Sequence, residues 1–340
     1  MTARLLLASW LFLAGAHPSV AADAGTPRDE PSAVTVSLAT WFSTGGSAWA
    51  HDASAVQPLF GNPTSRLEFD NVDADIIELR GRFNLPRDLF VELAYGAGNA
   101  RGGRLTDADF VSALGARSLG TSVSGPHAYA ETVSILDGDA VHYFDARIGR
   151  TLLRTRDRNS RLSLAARYLD WTEKYSARGV TQTICTAPGE LCLPQGTIAF
   201  SGRQVLYNDA RWRALFIALG GSHRFNDKVT LSGELAFSPL ADLQSDDQHF
   251  LRADLARDPS FRLEGQGQAA TVRLQGEYRL SPRLTAGLGV RWWWMEVRNE
   301  SRGFTAFPAA DAPFSSHLNR FESERYGITL SLSWAFGALN

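Results

Sequence analysis

The stretch Ile77-Glu78-Leu79-Arg80-Gly81-Arg82-Phe83 decides the fold. Ile77, Leu79 and Phe83 alternate with Glu78, Arg80 and Arg82, and residues two apart in an extended strand share a face. One face is apolar and the other carries a ladder of charge. A soluble core cannot bury that ladder cheaply. A strand with lipid on one side and a wet lumen on the other requires it. The pattern recurs downstream: Val272, Leu274, Gly276 and Tyr278 alternate with Arg273, Gln275, Glu277 and Arg279. Leu162, Leu164, Ala166 and Tyr168 alternate with Ser163, Ala165 and Arg167.

Working outward, the spacing predicts ten strands, at 34–49, 67–85, 89–100, 140–153, 161–176, 204–223, 229–243, 268–280, 284–298 and 320–336. They meet or exceed the ~9–11 residues that a tilted membrane strand needs. Asn84-Leu85-Pro86-Arg87-Asp88 and three similar segments are short turns, and long connections alternate with them strictly. The fold class is therefore all-β, a ten-stranded antiparallel transmembrane β-barrel with five long extracellular loops and four short periplasmic turns. Closure also removes the edge strands. Residues 101–138 read as an irregular loop. Trp41, Trp171, Trp212, Trp292, Trp294 and Trp334 read as interfacial girdle residues, with Trp293 pointing inward. Arg80, Arg82, Arg273 and Arg279 read as lumen charges paired with Glu78 and Glu277.

Residues 1–22 have a positive start at Arg4, an apolar run and a small-residue cleavage site, the pattern of a secretory signal peptide. Residues 23–340 form one barrel domain. No later run is long and apolar enough for a membrane helix. A net charge of −2 gives no reason to expect nucleic acid. In an exported chain, Cys185 and Cys192 are expected to form a disulfide stapling one loop. They are too few for zinc, and no metal is expected.

Odd-numbered strands run outward, so 101–138 and 244–267 share the outer rim. The first carries Asp107 and Asp109, the second Asp247 and His249. Taken singly, exposed aspartates in loops are ordinary. Together on one rim they form a candidate active site that activates a water.

These residues resemble the omptins, ten-stranded outer-membrane endopeptidases of Gram-negative bacteria. Gly102-Gly103-x-x-x-Asp107-x-Asp109-Phe110 is similar to the family's Gly-Gly-x-x-x-Asp-x-Asp-Trp. Ser245-Asp246-Asp247-Gln248-His249-Phe250 is similar to Asp-Asn-Asp-x-His-Tyr. Lys174 to Gly179 and Gly327 to Phe336 resemble further blocks. The resemblance implies that His249 is the general base, oriented by Asp247, with Asp107 sharing the attacking water and Asp109 supporting it. It implies catalysis at the cell exterior, a peptide or protein substrate, a monomer, no prosthetic group, and lipopolysaccharide as activating lipid. Arg211 and Lys174 match two lipid-gripping basic positions, while a third aligns with Gly265. The family's acidic substrate pocket aligns with Ser47 and Ser245, so the preference for basic residues is expected to change. Glu131 stands in for an acidic group on the leaving side. The rival readings are a non-catalytic barrel binding a surface ligand, and a small channel.

Overall fold

The computed structural model describes residues 32–187 and 192–338. The expected signal peptide lies outside the described residues. The elements in chain order are β1 (Ser32–Asp52), β2 (Phe60–Asn84), β3 (Leu89–Arg101), β4 (Arg104–Val111), α1 (Ala113–Ser118), β5 (Ala130–Asp137), β6 (Ala140–Arg154), β7 (Ser160–Cys185), β8 (Ile198–Arg224), β9 (Val229–His249), β10 (Phe261–Arg279), β11 (Leu284–Ala306) and β12 (Phe314–Ala338). All pairings are antiparallel, and β1 pairs with both β12 and β2, which closes the sheet.

Two circuits of ten strands are stacked in this one sheet. In the membrane-level circuit, β2 pairs with β3, β3 with β6 and β6 with β7. In the rim circuit, β2 pairs with β4, β4 with β5 and β5 with β7. β2, β7 and the other six strands run through both levels. The expectation of an irregular 101–138 loop is corrected here: β4 continues the path of β3, β5 leads into β6, and α1 lies between β4 and β5. The break between β3 and β4 falls at Gly102 and Gly103, with φ of +62° and +90°. A Cβ at Gly103 would sit 2.6 Å from the Asp70 carbonyl oxygen, so that crossing needs glycine for both conformation and space.

The alternation fixes which face meets lipid. Ile77 and Leu79 are 60% and 58% exposed, whereas Glu78 and Arg80 between and beside them are 2% and 8% exposed. Leu215, Ile217, Leu235, Leu274, Leu288 and Leu330 continue the apolar belt around the barrel. Among the described residues no helix is long and apolar enough to cross a membrane. The strands form the belt.

Inside, the charges satisfy one another. Arg80 Nε donates to Glu78 Oε1 at 3.0 Å, its Nη1 donates to Glu92, and Arg291 Nη1 donates to Glu78 Oε2 at 2.9 Å. Arg82 reaches Glu92, not Glu78, at 3.4 Å. Arg147 Nη2 donates to Asp145 Oδ2 at 2.8 Å and its Nη1 to Glu234, while Arg167 Nε donates to Asp145 at 3.1 Å. Above this network an aromatic layer fills the lumen. Trp293 lies 5.1 Å from Trp41, 4.7 Å from Trp171 and 4.9 Å from Tyr143, centroid to centroid.

That layer corrects the girdle reading for three tryptophans. Trp41, Trp171 and Trp212 are buried inside the barrel. Phe42 and Leu38 take the lipid-facing phase of β1 instead, and bulky rings are needed to fill a lumen of this strand number. Trp292 and Trp294 do face outward, donating to Glu324 and Glu322 at 2.6 and 2.8 Å. Trp334 is exposed and Trp293 is inward, as expected.

Two outcomes follow from a lumen filled in this way. Planar-bilayer recordings of the purified barrel will show no conductance steps; a stable open level would contradict the plugged lumen. Glu78→Ala leaves Arg80 and Arg291 short of a buried partner and will destabilise the barrel by about 3–5 kcal/mol, measured by urea unfolding in detergent micelles.

Candidate active site

The four candidate residues sit on the rim circuit, on the inward face of opposite walls. Register shows how each is aimed. Asp107 on β4 lies opposite Leu67 of β2, and Leu67 opposite Trp49 of β1. Asp109 lies opposite Ser65, which lies opposite His51. Because cross-strand partners share a face, Trp49, His51, Ser65, Leu67, Asp107 and Asp109 all look inward. On the other wall Ser245, Asp247 and His249 alternate inward along β9, facing the same interior as Phe261 and Leu263 of β10. Asp107 and Asp247 are close enough for their charges to interact. The structure thus brings the two sequence blocks into one cleft.

Electrostatics differ between the walls. Burial is the main cause that pushes the Asp107 carboxyl well above its ordinary range, reinforced by Asp109. Asp109 is raised as well, again chiefly by burial. Ser65 Oγ donates to Asp107 Oδ1 over 3.4 Å, a weak counterweight. Asp247 is pushed up to about 7, because it is fully buried and its hydrogen bond from Asn208 offsets only part of the desolvation. Burial lowers the imidazoles of His249 and His51 to about 3, so both rings are neutral at neutral pH.

The Asp247–His249 dyad is not closed by a hydrogen bond among the described residues. Asp247 Oδ1 accepts from Asn208 Nδ2, which also donates to Ser245 Oγ at 2.9 Å. The reason is geometric. Asn208 of β8 is the direct cross-strand partner of Asp247, whereas two residues on one strand face stand roughly 6–7 Å apart. His249 instead packs edge-on against Phe261 at 4.8 Å. Phe261 meets Phe304 at 5.1 Å, and Phe304 stacks on His51 at 3.7 Å.

Several buried polar atoms of this region have no hydrogen-bond partner among the described residues: His249 Nε2, Asp247 Oδ2, Asn208 Oδ1, His51 Nδ1, Trp49 Nε1 and Ser47 Oγ. Trp49 nevertheless approaches Asp247 closely enough to favour its anion slightly. Such orphans are rare in folded proteins and mark positions where water or a ligand completes the bonding.

Ser47 and Ser245 are both buried on the inward side. Glu131 is not in the cleft. It pairs with Ala108 while Thr132 and Ala130 pair with Asp107 and Asp109, so it points out through the wall and accepts from Thr183 Oγ1 at 2.8 Å. Lys174 and Arg211 also lie on the outer face. Lys174 Nζ is 2.7 Å from Asp209, and Arg211 Nε donates to Asp170 at 2.8 Å. Cys185 and Cys192 form a disulfide at the top of β7. Thr186, next to Cys185, donates its N–H to the Tyr129 carbonyl at 2.9 Å, and Tyr129 N–H donates to the Asp109 carbonyl at 3.0 Å. The staple therefore braces the backbone of the aspartate wall.

Four residues of the site escape a motif-based reading: His51, Asn208, Tyr129 and Arg252. No local pattern announces them. Asn208 enters through register alone, and Arg252 comes from the segment after β9, outside any strand period. Burial raises the Tyr129 hydroxyl to about 12, and the residue lies within electrostatic range of Asp109, Asp107 and Arg252. Among the described residues no group of three or more His, Cys, Asp or Glu side chains is arranged to hold a metal ion.

Asn208→Ala removes the hydrogen bond that favours the Asp247 anion, and the Asp247 titration will move upward from about 7. Carbon-13 NMR of the labelled carboxyl in micelles reads this midpoint, and an unmoved or lowered value would contradict the assignment.

Comparison with known proteins bears on the fold. Residues 193–336 match the model of the family described as Protochlamydia outer membrane protein. No curated protein matches the sequence. Among solved structures, the outer membrane protease OmpT of Escherichia coli superposes with a TM-score of 0.67 at 18% identity, covering 92% of this chain and 99% of that one. The translocator domain of the autotransporter NalP from Neisseria meningitidis gives 0.36 at 10% identity, covering 91% and 90%. A Pseudomonas aeruginosa FadL homologue gives 0.30 at 10% identity, covering 91% of each chain. The chain is an outer-membrane β-barrel whose fold is similar to that of OmpT.

Proposed function

We propose that this barrel is an outer-membrane endopeptidase, cleaving peptides or proteins at the cell surface with an activated water. The observation that carries this reading is the convergence of Asp107 and Asp109 with Asp247 and His249 in one cleft. His249 is the general base: burial keeps its ring neutral, and Nε2 is uncommitted. Asp107, held toward its protonated form by burial and by Asp109, shares the attacking water and donates to the developing oxyanion. Asp109 supports that proton-sharing. Asp247 stabilises the imidazolium through its charge, from the next inward position of the same strand. No covalent intermediate is required. The fold's similarity to a protease supports the same reading.

The substrate floor formed by Ser47 and Ser245 is uncharged, so a preference for basic side chains is not part of this proposal. Lipopolysaccharide acts as the activating lipid on the outer face at Lys174 and Arg211, where its phosphates compete with Asp209 and Asp170 for the cations. The protein works as a monomer without a prosthetic group.

A second reading, a non-catalytic barrel that binds a surface ligand, is favoured by one observation. Asp247 is engaged by Asn208 and not by His249.

Purified barrel with lipopolysaccharide and a mixed-sequence peptide library, read by mass spectrometry, separates the two. Cleavage by the parent that falls at least 100-fold in His249→Ala supports the peptidase. Intact peptides with both proteins support the binder. Because Asp247 is protonated below about pH 7 and anionic above it, kcat/KM will rise through that region. Asp247→Asn will remove that rise; a profile that keeps it would assign the rise to another group.

A further inference from the structure

We propose that Arg252 selects the substrate, receiving an acidic side chain of the bound peptide at the mouth of the cleft. The inference rests on the peptidase reading for the nature of the ligand, and three observations specific to Arg252 carry it.

The first is position. Arg252 stands three residues beyond His249, the last residue of β9, and its backbone N–H donates to the His249 carbonyl at 3.3 Å. Its guanidinium lies within electrostatic range of His249 on its own wall and of Asp107, Asp109 and Tyr129 on the other. It bridges the two walls.

The second is an incomplete copy of a pattern that the lumen completes twice. Arg80 gives its Nε and Nη2 to Glu78, two residues away, and its Nη1 to Glu92 from another strand. Arg147 gives its Nε and Nη2 to Asp145, again two residues away, and its Nη1 to Glu234. Arg252 gives Nε and Nη2 to Asp254, two residues away, at 2.8 and 2.6 Å. Its Nη1 has no protein partner among the described residues. The guanidinium is thus fixed along one edge, with donors remaining for a second carboxylate, and its planar fork suits that partner. Arg211 and Arg262 are gripped along the same edge, but they stand on the outer face, away from the cleft. Of these three, only Arg252 stands beside the aspartates and the imidazole.

The third is that the cleft offers little to a cation. Ser47 and Ser245, which form its floor, are neutral, and Glu131 points outward through the wall. A lysine or arginine of the substrate would meet Arg252 without a compensating acid on the floor. A glutamate or aspartate would meet a donor already oriented by Asp254.

The test separates binding from cleavage. Three blocked fluorescent peptides, identical except for a central Glu, Gln or Lys, are titrated by anisotropy against the full-length His249→Ala barrel in detergent micelles. The Glu peptide is expected to bind about tenfold more tightly than the Lys peptide, with Gln between. Adding Arg252→Glu will reverse that order, and adding Arg252→Gln will flatten it. Equal binding of the three peptides, or an order that Arg252→Glu leaves unchanged, overturns the proposal. If the order holds and reverses while active-site-intact barrel cleaves nothing, the peptidase reading fails and Arg252 remains the anion receptor. If peptides are cleaved without enrichment of acidic residues near the scissile bond, the Arg252 assignment fails and the peptidase reading stands.

Discussion

The charges buried at the centre of this barrel are matched by other protein groups, because there they can reach neither lipid nor bulk water. That constraint organises the lumen. Glu78 holds Arg80 and Arg291, Asp145 holds Arg147 and Arg167, and Glu92 and Glu234 close the remaining ends. Removing one member strands its neighbours, so the network is cooperative in the sense that its members protect one another from desolvation. With the tryptophan layer above it, the network makes a solid floor. A channel is thereby disfavoured, and the outer half of the lumen becomes a closed-bottomed cup.

The cup explains the chemistry of its walls. Groups set in it are shielded from below by rings and from the sides by the sheet, so burial is the first cause of nearly every perturbed residue there. Carboxyls are held toward neutrality and imidazoles away from the cation. A water shared between Asp107 and His249 would therefore meet a proton donor and a proton acceptor at the same pH. Asn208 adds a constraint of its own, since it ties Asp247 to Ser245 across two strands.

Much of this was legible in the sequence. The alternation around Glu78 and Arg80 told lipid from lumen, and the turns gave the strand count. Spacing put Asp107 with Asp109 and Asp247 with His249 on common faces. What failed was whatever depends on neighbouring strands. Trp41 looks like an interfacial residue until Leu38 and Phe42 are seen to occupy the lipid face. Residues 104–111 and 130–137 lack a strong apolar alternation because the rim has no lipid to select one, so their strands read as loop. Glu131 is adjacent to two residues of the right wall, and only register shows that it faces the wrong way. Asn208 could not be paired with Asp247 without knowing how β8 and β9 are aligned.

The stacking of the two circuits has a consequence for the width of the cleft. A barrel's diameter follows from its strand number and stagger, and both circuits contain ten strands. Eight of them pass unbroken from lipid to rim. The gap between the aspartate wall and the histidine wall is therefore gauged by the lipid-embedded part, which touches neither. Sequence change in the rim strands can alter what the gap is lined with, while its span is inherited from below.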